Sequence, residues 1–253
     1  MGNNKKTILV TGGSRGIGFE ITSNLLKDEN LILLNYKNET KKLKRFISKN
    51  KPNIVPIKAD LTKPQGIKKL LNETLNQTEI PDVIINNAGI ALSAPLSYSK
   101  SKWEKTWDET ISLNLKAPSI ICREIIQKKI KTKNTKKLRI INIASRAAFR
   151  GETEDFIAYA ASKGGLISLT KTLARSFGEQ NVLAFSIAPG FVKTSMAEDF
   201  IKKYGKQHAM EGIVLNRLTE PKDIAPTVKF IAQGNMDHAT GSTIDINGGS
   251  YLR

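Results

Sequence analysis

The sequence predicts an α/β fold: one domain built on a doubly wound parallel sheet of about seven strands, with helices on both faces. Three observations carry this expectation. Short apolar, β-rich runs recur along the chain, among them Thr7–Val10 and Leu31–Leu34, without the alternation of a sheet that faces water. That is the pattern of strands buried on both faces. Segments of helical periodicity separate these runs, as right-handed crossovers between parallel strands require. A glycine-rich turn from Gly12 to Gly18 joins the first run to the first helix.

In chain order, Thr7 to Thr11 reads as the first strand, and the segment after the glycine turn as an amphipathic helix to about Lys27. Leu31 to Tyr36 is a second strand, Thr40 to Lys49 a basic surface helix and Ile54 to Lys58 a third strand. Thr62-Lys63-Pro64 has the form of a helix start, with Thr62 as cap and Pro64 in the first turn. That helix runs to about Asn76, and Asp82 to Asn86 is strand four. Ser99 to Lys131 holds one or two helices, with Pro118 as a break or a new start, because proline has no N–H to give. Leu138 to Ala144 is strand five, a long helix runs from about Phe156 to Gly178, and Leu183 to Ala188 is strand six. Phe191 to Thr219 reads as irregular and partly helical, Pro221 to Gln233 as a helix, and Thr243 to Asn247 as the last strand. No linker, low-complexity segment or fixed-period repeat divides the chain, so residues 1–253 read as one domain.

Composition narrows the chemistry. Lys and Arg number 40 against 23 Asp and Glu, a net charge of +17 that permits acidic partners without requiring them. The single cysteine, Cys122, forms no internal disulfide and suits a reducing compartment, and two histidines, His208 and His238, are too few for a His-built metal site. No apolar run approaches a signal segment or a membrane span, so a cytoplasmic protein is expected. G-x-S-x-G, C-x-x-C and P-loop spacings are absent. Nucleic acid is not expected as a partner, since no aromatic-interleaved basic strand or helix-turn-helix signature accompanies the charge.

Two motifs carry chemistry. Thr11-Gly12-Gly13-Ser14-Arg15-Gly16-Ile17-Gly18 stands where open α/β sheets bind phosphates: glycines let the backbone approach a pyrophosphate that the helix N-terminus attracts. Its spacing is G-x-x-x-G-x-G, and a purely structural turn is the plainer alternative. Tyr159 and Lys163 lie four apart, hence on one helix face. An ammonium there favours phenolate and lowers the pKa of a tyrosine that can then pass protons to a carbonyl or alcohol. Alone, the pair could be incidental.

Joined with Asn86-Asn87-Ala88-Gly89 after strand four, Asn114, Ser145, and Pro189-Gly190 after strand six, these motifs resemble the short-chain dehydrogenase/reductase family from Thr7 to Gly249. The resemblance implies a Rossmann-type fold and roles for single residues. Tyr159 would be the general acid in reduction. Lys163 would lower its pKa and bind the nicotinamide ribose. Ser145 would hydrogen-bond the substrate carbonyl, and Asn114 would hold a water linking Lys163 to solvent. Gly12, Ser14, Arg15, Gly16, Ile17 and Gly18 would surround the pyrophosphate end of a dinucleotide. Asp60 would accept from the adenine amino group with Leu61 beside the ring, and Asn87, Ala88 and Gly89 would line the adenine ribose. Pro189, Gly190, Val192 and Thr194 would approach the nicotinamide.

Strand two ends Asn35-Tyr36-Lys37-Asn38, without the acid that would bind a ribose 2′-hydroxyl, and Glu39 lies slightly later. Tyr36 and Lys37 would border the ribose, and Lys37 with Arg15 could clamp a 2′-phosphate, so NADP(H) is favoured over NAD(H). The chain is most similar to the 3-oxoacyl-[acyl-carrier-protein] reductase branch, in N-Y-K-N-E, P-G-F-V-K-T and T-G-S-T-I-D-I-N-G-G. That implies reduction of a 3-oxoacyl thioester, an acidic acyl carrier protein as partner, and a homotetramer or homodimer. Of the branch's basic docking pair, one position falls at Lys136 and keeps its charge, and the other falls at Gln180 and loses it. The alternatives are an oxidoreductase of a free small carbonyl or alcohol and, in another class, a non-enzymatic NADP-binding protein. The acids Glu152, Glu154 and Asp155, beside Phe149 and Phe156, stand against an anionic substrate unless they point outward.

Overall fold

The structure, a computed structural model, describes residues 5–195, 197, 201 and 205–253, without the side chains of Lys206 and His208. Among these residues seven strands form one parallel sheet: β1 (Thr7–Val10), β2 (Leu31–Tyr36), β3 (Ile54–Lys58), β4 (Val83–Asn86), β5 (Leu138–Ile143), β6 (Val182–Pro189) and β7 (Thr243–Ile246), in the order β3-β2-β1-β4-β5-β6-β7. The helices are α1 (Gly16–Leu25), α2 (Lys41–Lys49), α3 (Pro64–Gln77), α4 (Lys100–Ile111), α5 (Ala117–Lys131), α6 (Ala147–Arg150), α7 (Ile157–Phe177), α8 (Lys206–Met210) and α9 (Pro221–Gln233).

Successive residues of a strand point to opposite faces, and both faces here are apolar. Ile8, Val10, Ile32 and Leu34 pack against Ile21 and Leu25 of α1 and Ile224, Val228 and Ile231 of α9. Leu9, Leu33, Ile84 and Ile140 face the other way, onto Leu70 of α3, Ile121 and Ile125 of α5 and Leu173 of α7. Each such side chain, once buried, contributes about 1.5–3 kcal/mol. This two-faced burial is why the strands read as continuous apolar runs.

β1 pairs with β2 on one side and with β4 on the other. The crossovers that leave it run in opposite directions, and the C-terminal ends of β1 and β4 flank the crevice where such sheets take ligands. A buried polar ladder holds the neighbouring strands in register with α7. Asn86 Nδ2 donates to Asn142 Oδ1 at 2.8 Å, Asn142 Nδ2 to Thr170 Oγ1 at 2.8 Å, and Ser186 Oγ to Thr170 Oγ1 at 2.7 Å. Thr170 belongs to α7, so the helix carrying Tyr159 and Lys163 is keyed to β4, β5 and β6.

One local expectation is corrected and one open alternative is resolved. Thr62 does not cap α3: Lys63 is the N-cap residue, Pro64 follows it, and Thr62 instead donates from Oγ1 to Asp60 Oδ1 at 2.8 Å. Of the two readings of Pro118, the new start holds. α4 runs through a π-helical turn, Ser112–Lys116, into α5, with Pro118 in the first turn of α5. A proline at 118 cannot donate to the carbonyl four residues earlier, that of Asn114, and the wider turn accommodates this locally. In the basic segment from Lys128 to Arg139, two side chains are buried. Lys129 is buried and donates to the carbonyls of Asn134 and Lys136. Arg139 is buried too, with Nε and NH2 each 2.8 Å from the Asp237 carboxylate. Lys136 is exposed.

Part of the Phe191–Thr219 expectation lies outside the described residues. Within them Val192 makes a parallel bridge to Thr219, and Lys206–Met210 is helical. Among the described residues no helix is long and apolar enough to cross a membrane, and no cluster of three or more His, Cys, Asp or Glu could hold a metal.

Candidate active site

The glycine turn is pressed against its neighbours. Gly12 has φ 65°, and a Cβ there would lie 2.8 Å from Ala88 Cα; Gly16 has φ 55°, and its Cβ would lie 3.2 Å from Thr194 Cγ2. Only glycine meets both demands without strain. The end of β4 is tied to the same turn: Thr11 Oγ1 accepts from the N–H groups of Asn87 (3.0 Å) and Ala88 (3.1 Å), and Asn87 Nδ2 donates to the carbonyls of Thr11 and Gly12, each at 3.0 Å. α1 opens at Gly16 with Arg15 in the cap position and no side-chain cap, so its first N–H groups face outward for an anion. Ser14 and Ile17 flank that opening, and Gly18 is buried in α1. A glycine-rich turn at an uncapped helix start fits the pyrophosphate of a dinucleotide.

The β2 end is arranged differently from the expectation. Tyr36 is buried in the core, with its hydroxyl 3.5 Å from Glu39 Oε1. Burial first and Glu39 second push its phenol up. Lys37 Nζ lies 2.9 Å from Asp60 Oδ2, so the expected phosphate clamp and the expected adenine acceptor hold each other. Burial raises the Asp60 carboxyl, but Lys37 and Thr62 outweigh it and hold Asp60 below the usual carboxylate range. Leu61 is buried among the apolar side chains of α3 and α5. Arg15 is exposed at the mouth of the turn.

Ser145, Tyr159, Lys163, Asn114 and Gly89 converge at the C-terminal ends of β4 and β5. Ser145 is buried two residues past β5, accepts from Ala147 N at 3.1 Å, and lies close enough to Tyr159 to lower its phenol pKa. The segment between them is not an open loop: it contains α6 and a 3₁₀ turn, Glu154–Phe156, and Ala94 N donates to the Asp155 carbonyl at 2.8 Å. A Cβ on Gly89 would lie 3.2 Å from Asn114 Oδ1 and 3.5 Å from Lys163 Nζ, so these three groups adjoin. Asn114 sits in the π turn. Its Oδ1 accepts from Ile90 N at 2.9 Å, and its Nδ2 donates to the Ile90 carbonyl at 2.8 Å and to Ser162 Oγ at 3.0 Å. Ser162 in turn donates to the Tyr159 carbonyl at 2.7 Å.

Lys163 makes its hydrogen bond to the backbone and stands back from the Tyr159 ring. Its Nζ is buried, donates to the Ile143 carbonyl at 2.8 Å, and lies 5.8 Å from the centre of the Tyr159 ring. Burial lowers its pKa from 10.5 to about 8. The Tyr159 phenol is raised above 10.0, by burial first; Ser145 opposes this, Glu152 adds to it, and Arg146 opposes it. Burial is the first cause at both groups, because low dielectric disfavours phenolate and ammonium alike.

Arg146 was not anticipated. It follows Ser145, is 6% exposed, and its NH1 is buried with no hydrogen-bond partner among the described residues. An arginine directly after a strand-ending serine is the signal that could have exposed it. Glu152 pairs with Arg150 at 3.2 Å rather than facing outward unpaired. On the β6 side, Arg146 N donates to the Pro189 carbonyl at 2.9 Å, and Gly190 N to the Ile246 carbonyl at 3.0 Å. Val192 is buried, and Thr194 Oγ1 donates to the Val192 carbonyl at 3.3 Å. Cys122 is buried behind the sheet, its thiol pushed up to about 12 by burial, which leaves it inert.

Residues 6–205 match the model of the family described as short chain dehydrogenase. The chain is 31% identical over 250 residues to the 3-oxoacyl-[acyl-carrier-protein] reductase FabG of Staphylococcus epidermidis, covering 98% of this chain and 99% of that one. Among solved structures it is similar to a 4-hydroxyisoleucine dehydrogenase mutant complexed with NADH and succinate, at 28% identity and TM-score 0.85, over 97% of this chain and 98% of the other. It is also similar to a Beutenbergia cavernae protein described as an NAD(P)-dependent gluconate 5-dehydrogenase with bound NADP at low occupancy, at 26% identity and TM-score 0.86, over 97% of this chain and 96% of the other.

Proposed function

Because this chain belongs to the short-chain dehydrogenases, and is therefore an oxidoreductase that uses a nicotinamide cofactor, we propose that it reduces a 3-oxoacyl thioester to the 3-hydroxyacyl thioester, with residues 1–253 working as one unit. The observation that carries the oxidoreductase reading is the meeting of Ser145 with Tyr159, and of Gly89 with Asn114 and Lys163, at the ends of β5 and β4. The thioester substrate and an acidic carrier partner are carried over from the FabG relative. The cofactor, when bound, supplies or accepts hydride.

The chain's own residues do the rest. Gly12, Ser14, Arg15, Gly16, Ile17 and Gly18 receive the diphosphate, with Asn87 bracing the turn. Asp60 and Leu61, and the Ala88–Gly89 backbone, border the adenosine end, and Pro189, Gly190, Val192 and Thr194 the nicotinamide end. Arg15 carries the preference for NADP(H), joined by Lys37 when a 2′-phosphate competes with Asp60 for its ammonium. Ser145 donates to the substrate carbonyl oxygen and holds it beside Tyr159. The raised phenol keeps its proton at neutral pH and gives it to that oxygen as charge develops there. Lys163 supplies positive charge that favours loss of the phenol proton, and Asn114 fixes the helical turn on which Ser162 and Tyr159 meet.

A second reading, oxidoreduction of a free hydroxy acid or oxo acid, draws on Arg146 beside Ser145. It also draws on relatives described by 4-hydroxyisoleucine with succinate and by gluconate. To separate the two, purified protein is given NADPH or NADH with a 3-oxoacyl carrier thioester, a small 3-oxoacyl thioester, and a panel of free ketones, oxo acids and sugars, and cofactor oxidation is followed optically. Turnover of the carrier thioester that is lost in Tyr159→Phe is expected. No turnover on any substrate, or full activity in Tyr159→Phe, refutes the mechanism.

A further inference from the structure

We propose that Arg146 sets substrate class: its guanidinium receives a carboxyl-derived oxygen, whether carboxylate or thioester carbonyl, that the substrate carries beside the carbonyl to be reduced. This rests on the oxidoreductase reading of the Ser145–Tyr159 site.

The backbone of Arg146 is clamped at the floor of that site. Its N–H donates to the Pro189 carbonyl at 2.9 Å, and its carbonyl accepts from Phe149 N at 3.0 Å and Arg150 N at 3.2 Å. The residue is therefore fixed between the ends of β5 and β6 and the start of α6. Its side chain is nine-tenths buried, yet NH1 has no acceptor among the described residues. The nearby carboxylate of Glu152 lies against Arg150 instead, with both its oxygens 3.2–3.3 Å from Arg150 NH2. Arg146 and the Tyr159 phenol are close enough for each to act on the other's ionisation.

A buried guanidinium nitrogen left without an acceptor carries a desolvation penalty, which an oxygen acceptor offsets. A position that carries this penalty inside a site is therefore built for a ligand atom. The planar fork of arginine suits a carboxylate or an acyl oxygen better than an isolated hydroxyl. A 3-oxo acid and its thioester both place such an oxygen close to the reacting carbonyl, and a simple ketone has none. Tyr159 as the sole recipient of the positive charge is the competing role, and it would affect every substrate alike.

The test measures kcat/KM for three matched substrates, acetoacetate, a short 3-oxoacyl thioester and pentan-2-one, in wild type, Arg146→Met and Arg146→Lys. In parallel, calorimetry measures succinate binding to each protein saturated with NADPH. The preference for the carboxyl-bearing substrate over pentan-2-one should fall roughly 10- to 100-fold in Arg146→Met and partly recover in Arg146→Lys, the size of a charge-assisted hydrogen bond. Whether acetoacetate or the thioester loses more identifies the source of the oxygen. Equal losses on all three substrates, or succinate binding unchanged in Arg146→Met, overturn the proposal. If wild type turns over none of the substrates, the oxidoreductase reading fails, and loss of succinate binding in Arg146→Met still decides the role of Arg146.

Discussion

The ammonium of Lys163 donates to the main-chain carbonyl of Ile143, 2.8 Å away and two residues before Ser145. Burial that lowers Lys163 from 10.5 to about 8 makes stability depend on pH with a defined sign. Between those values the unfolded chain binds the proton that the folded chain has released. The fold therefore gains stability as pH rises through about 8, and carries the whole penalty below it. Urea unfolding of wild type and Lys163→Met at pH 7 and pH 9.5 should show wild type gaining about 2 kcal/mol relative to the variant. Parallel changes in the two proteins would sink the assignment.

The same lysine sets the pH dependence of turnover. kcat/KM reports groups of the free enzyme, so the rate of carbonyl reduction should bend downward above pH 8 as Lys163 becomes neutral. Tyr159, raised above 10.0, retains its proton across that range. The bend should vanish in Lys163→Met, whose residual rate is expected to be lower by about 100-fold or more. A bend that persists in the variant belongs to another group.

Two glycines with left-handed backbone separate strain from contact. Gly12 has φ 65° and would place a Cβ 2.8 Å from Ala88 Cα, whereas Gly151 has φ 78° with nothing within 4 Å. Gly151→Ala should cost about 1 kcal/mol in urea unfolding. Gly12→Ala should cost more and also weaken NADPH binding about 10-fold or more, read by nicotinamide fluorescence, because the turn must move away from β4. Equal effects at the two sites would show that the close approach is immaterial.

Cofactor choice should divide between Arg15 and Lys37. Arg15 lies exposed at the turn, while Lys37 is held 2.9 Å from Asp60. Arg15→Ala is expected to lower NADPH affinity more than Lys37→Ala does, and neither should weaken NADH to the same degree. Equal losses for both cofactors would remove the case for a 2′-phosphate site.

Asp237 gives a stability test away from the site. Arg139 and Lys137 hold its carboxyl below the usual range against the effect of burial, which is the largest single influence and acts upward. A depressed carboxylate contributes stability that is present above its unfolded pKa, about 3.9, and lost as pH falls through the folded one. Asp237→Ala should cost about 2–3 kcal/mol at pH 7 by leaving Arg139 buried and unpaired, and the difference from wild type should narrow below pH 4. A constant difference from pH 7 to pH 3 would contradict this.

Local patterns carried the fold. Apolar runs located β1 through β7 to within a residue or two, and the glycine turn located the start of α1, because strand burial and turn chemistry are properties of neighbouring residues. Where expectation failed or stayed open, a partner outside the motif decided. Thr62 looked like a cap until Asp60 took its hydroxyl, and Pro118 proved to start a helix that the π turn at Asn114 joins to the one before it. Lys129 is held by the Asn134 and Lys136 carbonyls, and Arg139 by the distant Asp237.

For the site, the order of motifs along the chain points to Ser145, Tyr159, Lys163 and the glycine turn through the family resemblance, and residue spacing alone says only which groups share a helix face or end a strand. Electrostatic state lies beyond that reach. Whether Lys163 tunes Tyr159 or donates to Ile143, whether Lys37 awaits a phosphate or pairs with Asp60, and whether Arg146 has an acceptor depend on burial and on partners far away in sequence. Desolvation and charge pairing act through space, and only the folded chain brings those groups within a few ångströms of one another.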